Sequence, residues 1–70
     1  MSVHMYRRID TIPRERVKAW IYYALSGTSA RIEIWEVGDR GRRLDTRRCS
    51  PARARARANE LLDFWSQPQI

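Results

Sequence analysis

Asp10-Thr11-Ile12-Pro13-Arg14-Glu15-Arg16-Val17-Lys18-Ala19-Trp20-Ile21-Tyr22-Tyr23-Ala24-Leu25 is the stretch on which the fold turns. It supports two readings. In the first, Val17, Trp20, Ile21, Ala24 and Leu25 recur at i, i+3, i+4, i+7 and i+8, which places them on one face of a helix. Pro13 suits the first turn, where its missing N–H would be unbonded anyway. Asp10 or Thr11 supplies a capping oxygen, Glu15 lies where the helix dipole favours an anion, and Gly27 is a stop. In the second, residues 19–25 form a strand, because Trp20, Ile21, Tyr22 and Tyr23 favour sheets. Ser26-Gly27-Thr28-Ser29 is then a hairpin loop. The start signals weigh toward a helix over residues 13–25, with the strand as the open alternative.

On the C-terminal side the pattern changes period. Residues 30–37 alternate, with Ile32 and Ile34 on one face and Arg31, Glu33 and Trp35 on the other, as in a half-buried strand. Gly38-Asp39-Arg40-Gly41 has the composition of a turn. Residues 42–49 return as an edge strand with Leu44, Thr46 and Cys49 as its candidates for partial burial, and its charges discourage sheet-to-sheet pairing. Ser50 and Pro51 then open a helix over residues 51–66, as cap and first helical position. Within it Ala54, Ala58, Leu61, Leu62 and Trp65 form a stripe, and Pro68 discourages continuation. Trp65 and Leu61 are expected to pack on Ile32 and Ile34. On the N-terminal side, residues 3–9 read as a short edge strand, Val3, Met5 and Ile9 sharing one parity.

The expected fold class is therefore α+β: a small antiparallel sheet centred on a hairpin at residues 30–49, with a third strand available from the flanks. The helices 51–66 and 13–25 are expected on one face. Seventy residues allow one small domain. No apolar run approaches the ~20 residues that span a bilayer, and no signal-peptide pattern is visible. The expected compartment is the cytoplasm, with no membrane partner.

Catalytic constellations are missing from the sequence. His4 is the one histidine and Cys49 the one cysteine, so neither a disulfide nor a cysteine-pair zinc site can form within the chain. Carboxylates have arginines close by in sequence: Glu15 has Arg14 and Arg16, Asp39 has Arg40, and Asp45 has Arg43 and Arg47. These read as solvated charge pairs rather than an acid/base couple. Gly38 and Gly41 make a turn, not a phosphate-cradling loop. The expectation is a protein that is not an enzyme, with no metal, no cofactor and no small-molecule substrate.

The concentrated signal is positive charge. Fourteen basic against eight acidic residues leave a formal charge of +6, and thirteen of the basic residues are arginine. Codon usage in a GC-rich genome would produce that bias. So would selection for guanidinium forks that grip phosphate or carboxylate. Arg40, Arg42, Arg43, Arg47 and Arg48 crowd the hairpin, and Arg53, Arg55 and Arg57 follow on the helix. Arg53 and Arg57 share a helical face, while Arg55 points elsewhere. Phosphate contacts supply most non-specific nucleic-acid affinity. Trp35, on the polar parity of its strand, is a candidate for stacking on a base or anchoring a protein interface.

In element order, the hairpin followed by Ser50 and an alanine-rich basic helix is similar to the end of a double-stranded-RNA-binding domain. If residues 19–25 are a strand, three strands followed by a helix resemble the arm-binding domain of phage integrases and small phage anti-CRISPR proteins. The likeness covers residues 19–66 at most and carries no functional residues across. The leading expectation is a small bacterial or phage nucleic-acid-binding protein, using Arg40, Arg42, Arg43, Arg47, Arg48, Arg53 and Arg57 with Trp35. The alternative is an anti-CRISPR-like accessory or inhibitor protein that binds a host protein complex through an arginine and tryptophan surface. DNA, RNA and protein partners are not separated at this level, nor is oligomeric state.

Overall fold

The computed structural model describes residues 6–38 and 40–67. Four strands follow one another along the chain: β1 (Tyr6–Pro13), β2 (Val17–Ala24), β3 (Ala30–Glu36) and β4 (Arg43–Cys49). Each pairs antiparallel with the next, so their order in the sheet is their order in sequence. The helix α1 (Pro51–Ser66) closes the chain and lies mainly across β2 and β3. The α+β class is as expected from the sequence.

The expected helix over residues 13–25 does not form. Its sequence supplies the end of β1, a turn, and β2. The deciding pattern has period two rather than 3.6. Val17, Ala19 and Ile21 are all buried on the side facing α1, while Trp20, a member of the supposed helical stripe, points to the other face. Leu25 lies beyond the strand and is 61% exposed. Pro13 ends an edge strand, where a missing N–H is tolerated. The tight connection after it is closed by the Arg14 amide donating to the Val17 carbonyl at 2.9 Å. The sheet thus gains β2 as a full central strand, and β3 is paired on both sides.

The β2–β3 connection uses Ser26-Gly27-Thr28-Ser29 as the strand alternative required. Gly27 sits at φ +74°, a left-handed conformation that costs glycine little. In the β3–β4 connection the decisive glycine is Gly41. A Cβ there would fall 2.6 Å from the Glu36 carbonyl oxygen, so only glycine lets the backbone pass. The Val37 amide donates to the Arg16 carbonyl at 3.0 Å, tying this connection to the one between β1 and β2.

One side of the sheet carries the core. Ile12, Val17, Ala19, Ile21, Ala30, Ile32 and Ile34 meet Ala54, Ala58, Leu61 and Leu62 of α1. Small alanines on the helix let the two layers approach closely along its first half. Leu61 is buried as expected, but Trp65 is only half-buried at the margin of the core. There its indole N–H donates to Asp45 Oδ2 at 3.2 Å. Ser50 occupies the cap position and Pro51 the first helical position, but the serine side chain makes no capping hydrogen bond. Of the expected edge strand over residues 3–9, the part from Tyr6 onward belongs to β1; Val3, His4 and Met5 lie outside the described residues, as do Asp39 and Pro68.

Candidate functional site

Helix α1 covers one face of the sheet and leaves the other open. Strand alternation decides what that open face presents. The pairings Thr11↔Trp20↔Glu33↔Thr46 and Pro13↔Lys18↔Trp35↔Arg43 run across all four strands. A parallel row holds Ile9, Tyr22, Arg31 and Arg48. Aromatic rings therefore sit on the two central strands, with cations beside them on β3 and β4.

A bulge in β4 makes this arrangement possible. Strict alternation from Asp45, which faces α1, would point Leu44 outward and Arg43 inward. The register instead shifts between Ile34 and Trp35, where β4 carries one extra residue. Leu44 packs against the core beside Asp45, and Arg43 returns to the open face opposite Trp35. A bulge inserts one residue into one strand and re-aims the side chains next to it. A second register shift, near Arg7 in β1, leaves Tyr6 against Tyr22 on the open face, their rings tilted by 50° with centroids 5.0 Å apart.

Glu33 occupies the centre of the face and is only 6% exposed. Its Oε1 accepts the Trp35 indole N–H at 3.1 Å. Its Oε2 lies 3.4 Å from Arg31 Nε and 3.6 Å from Arg43 Nη1. The buried carboxylate is thus flanked by two guanidiniums and fixes the Trp35 ring. Arg31 also lies 4.7 Å from the Tyr22 ring centroid and 5.5 Å from that of Tyr6, within cation–π range. Burial, with the neighbouring Glu33 carboxylate second, pushes the Tyr22 phenol above its ordinary range, so it stays protonated at neutral pH. Lys18 Nζ stands 5.8 Å from the Trp20 ring centroid. No carboxylate among the described residues lies within ion-pair distance of Arg48.

The arginines expected to act together are divided by the sheet. Arg43, Arg48 and Trp35 share the open face. Arg47 points to the opposite side, opposite Ile32, and its Nε donates to Asp45 Oδ1 at 3.0 Å. Arg53 and Arg57 line a shallow groove beside Cys49 on the helix side, and Arg57 Nη1 donates to Glu60 Oε1 at 3.0 Å. Arg55 reaches the other flank of α1, with Nη1 3.8 Å from Asp10 Oδ2. Arg40 and Arg42 belong to the β3–β4 connection, where Arg42 Nε lies 3.4 Å from Glu36 Oε1. The hairpin and helix arginines therefore do not form one continuous patch. Burial raises the Cys49 thiol above its ordinary range, which leaves little reactive thiolate at neutral pH.

Sequence reasoning misses Lys18, Trp20, Tyr22 and Arg31 as site residues. The first three lie in a stretch that also fits a helical period, and Arg31 looks like an ordinary solvated charge. The signal is nonetheless present: Lys18-x-Trp20-x-Tyr22 and Arg31-x-Glu33-x-Trp35 are matching period-two rows. Among the described residues no group of His, Cys, Asp and Glu could hold a metal ion, and no helix is long and apolar enough to cross a membrane. Compared with known proteins, the chain matches no protein-family model, no curated protein and no solved structure.

Proposed function

We propose that the protein is a small nucleic-acid-binding module and that the open face of its sheet is the contact surface. One observation carries the reading: among the described residues, the sheet face that α1 leaves uncovered joins Trp20, Tyr22 and Trp35 to Lys18, Arg31, Arg43 and Arg48, with Glu33 as the carboxylate at its centre. Cations offer phosphate contacts, and aromatic rings offer surfaces on which any base can stack. Tryptophan and arginine also anchor protein interfaces, but rings on the central strands with cations along one edge match the alternation of base and phosphate in a nucleic-acid chain. The Glu33 bond to the Trp35 indole favours one orientation of the ring, which lowers the ordering cost of binding.

The test is affinity for nucleic acid at two salt concentrations. Binding through phosphates weakens steeply between ~50 and ~200 mM salt. Replacing Arg43 and Arg48 together by alanine should weaken binding and flatten the salt dependence. Arg43 flanks the buried Glu33 carboxylate at 3.6 Å, so the double substitution should lower the melting temperature somewhat, while Arg31 at 3.4 Å still faces that carboxylate and circular dichroism should hold. A parent protein that binds no nucleic acid at low salt would sink the reading. Capture instead of an acidic protein partner, with little salt dependence, would favour the inhibitor alternative.

A further inference from the structure

We infer that the open face takes single-stranded rather than duplex nucleic acid, with bases over Trp20 and Trp35 and the phosphate backbone along Arg43 and Arg48. This rests on the nucleic-acid reading above and adds the class of ligand. Three features of the face point the same way. The first is width. Three inter-strand gaps of ~4.8 Å set β1 and β4 about 14 Å apart. A duplex major groove is about 12 Å wide and admits a helix or a two-stranded ribbon, so the whole four-stranded face cannot enter it.

The second feature is one-sided charge. The open-face positions on β1 from Ile9 onward are Ile9, Thr11 and Pro13, all uncharged, whereas β4 presents Arg43 and Arg48. A duplex groove is bounded by phosphates on both sides. A face with its edge cations on one side matches a single backbone. The third is the buried Glu33 carboxylate between the tryptophan-bearing positions. Arg31 and Arg43 hold it at 3.4 and 3.6 Å, so their guanidiniums are drawn down onto the sheet and the flat rings of Trp20 and Trp35 are left beside them for bases. The carboxylate's bond to the Trp35 indole also presets the ring on which a base would stack.

The experiment compares a deoxyuridine homopolymer, a uridine homopolymer and a mixed-sequence duplex of equal length, by fluorescence anisotropy at one salt concentration. At least one homopolymer should bind on the order of tenfold more tightly than the duplex, and tryptophan emission should be quenched on binding. Comparing the two homopolymers assigns the sugar. Trp35→Leu should lose on the order of tenfold in homopolymer affinity, and Trp35→Phe, which keeps a ring, should recover most of it. A melting curve for each variant separates lost stacking from lost fold. A duplex bound as tightly as both homopolymers overturns the single-strand inference and leaves the nucleic-acid reading intact. So does homopolymer affinity indifferent to Trp35→Leu in a folded variant. Absence of binding to all three probes at low salt overturns both.

Discussion

At the scale of single residues, the two sides of the sheet answer to different forces. Leu62 is fully buried between helix and sheet. Leu62→Ala removes its transfer energy and leaves a cavity, so it should cost about 2–5 kcal/mol, read from denaturant unfolding. Trp65, half-buried at the margin, should cost less when truncated, and part of its effect passes through Asp45. Burial works against ionisation of Asp45, but the Trp65 indole, the Arg47 guanidinium and the Thr46 amide outweigh it and hold the carboxyl below its ordinary range. A depressed native value means that this contribution is present at neutral pH and is lost as pH falls below the ordinary carboxylate value. Trp65→Phe removes the indole donor. The Asp45 titration, followed by carboxyl NMR, should move upward, and the variant should lose less stability on acidification than the parent. An unchanged Asp45 midpoint would mean that the indole bond contributes nothing.

At the scale of elements, the instructive segment is β2. Its residues satisfy a helical stripe and a strand alternation at once, because Val17 and Ile21 belong to both patterns. Local signals cannot separate them: Pro13 and Glu15 are as compatible with the end of an edge strand and a turn as with a helix start. Pairing decides the matter. As a strand, β2 satisfies its own backbone groups against β1 and β3, and buries Ala19 and Ile21 under α1. Strand-type backbone shifts over residues 17–24, with cross-strand contacts between Ile21 and Ile32, are the expected NMR result. The β3–β4 connection allows a sharper test. Gly41→Ala drives a Cβ to 2.6 Å from the Glu36 carbonyl oxygen, so backbone must move and stability should fall by about 1–3 kcal/mol. The last helix is easier to read, since Ala54, Ala58, Leu61 and Leu62 leave only one apolar stripe and Ser50-Pro51 mark where it starts.

At the scale of the whole molecule, charge is spread over two sides but the tryptophan-rich surface lies on the open face. Arg53, Arg55 and Arg57 project from the helix layer, away from Trp20 and Trp35. Replacing these three by alanine lowers the formal charge from +6 to +3, one unit for each arginine removed. If the sheet face is the contact, that variant should keep the parent's salt slope for a single strand. The Arg43→Ala, Arg48→Ala pair should flatten the slope by roughly 1.4, at about 0.7 per phosphate contact. Circular dichroism should hold in the triple variant, because alanine is the better helix former. The opposite pattern of slopes would move the contact to the groove beside Cys49.

The amino-acid sequence alone determined the α+β class, the break between β3 and β4 marked by Gly38 and Gly41, the strand carrying Ile32 and Ile34, the closing helix and the abundance of arginine. Each of these comes from nearest neighbours: alternation, capping, glycine in turns, and side-chain charge. Tertiary structure decided the conformation of β2, since only pairing on both edges and burial under α1 favour period two over 3.6. It also decided which arginines share a face. Arg43 and Arg47 would face the same way in a regular strand. The β4 bulge sends Leu44 inward and Arg43 outward, because a core beside Trp65 gains more from leucine than from a guanidinium. No local rule places that extra residue, and without it Arg43 would not stand beside Trp35 and Glu33 on the open face.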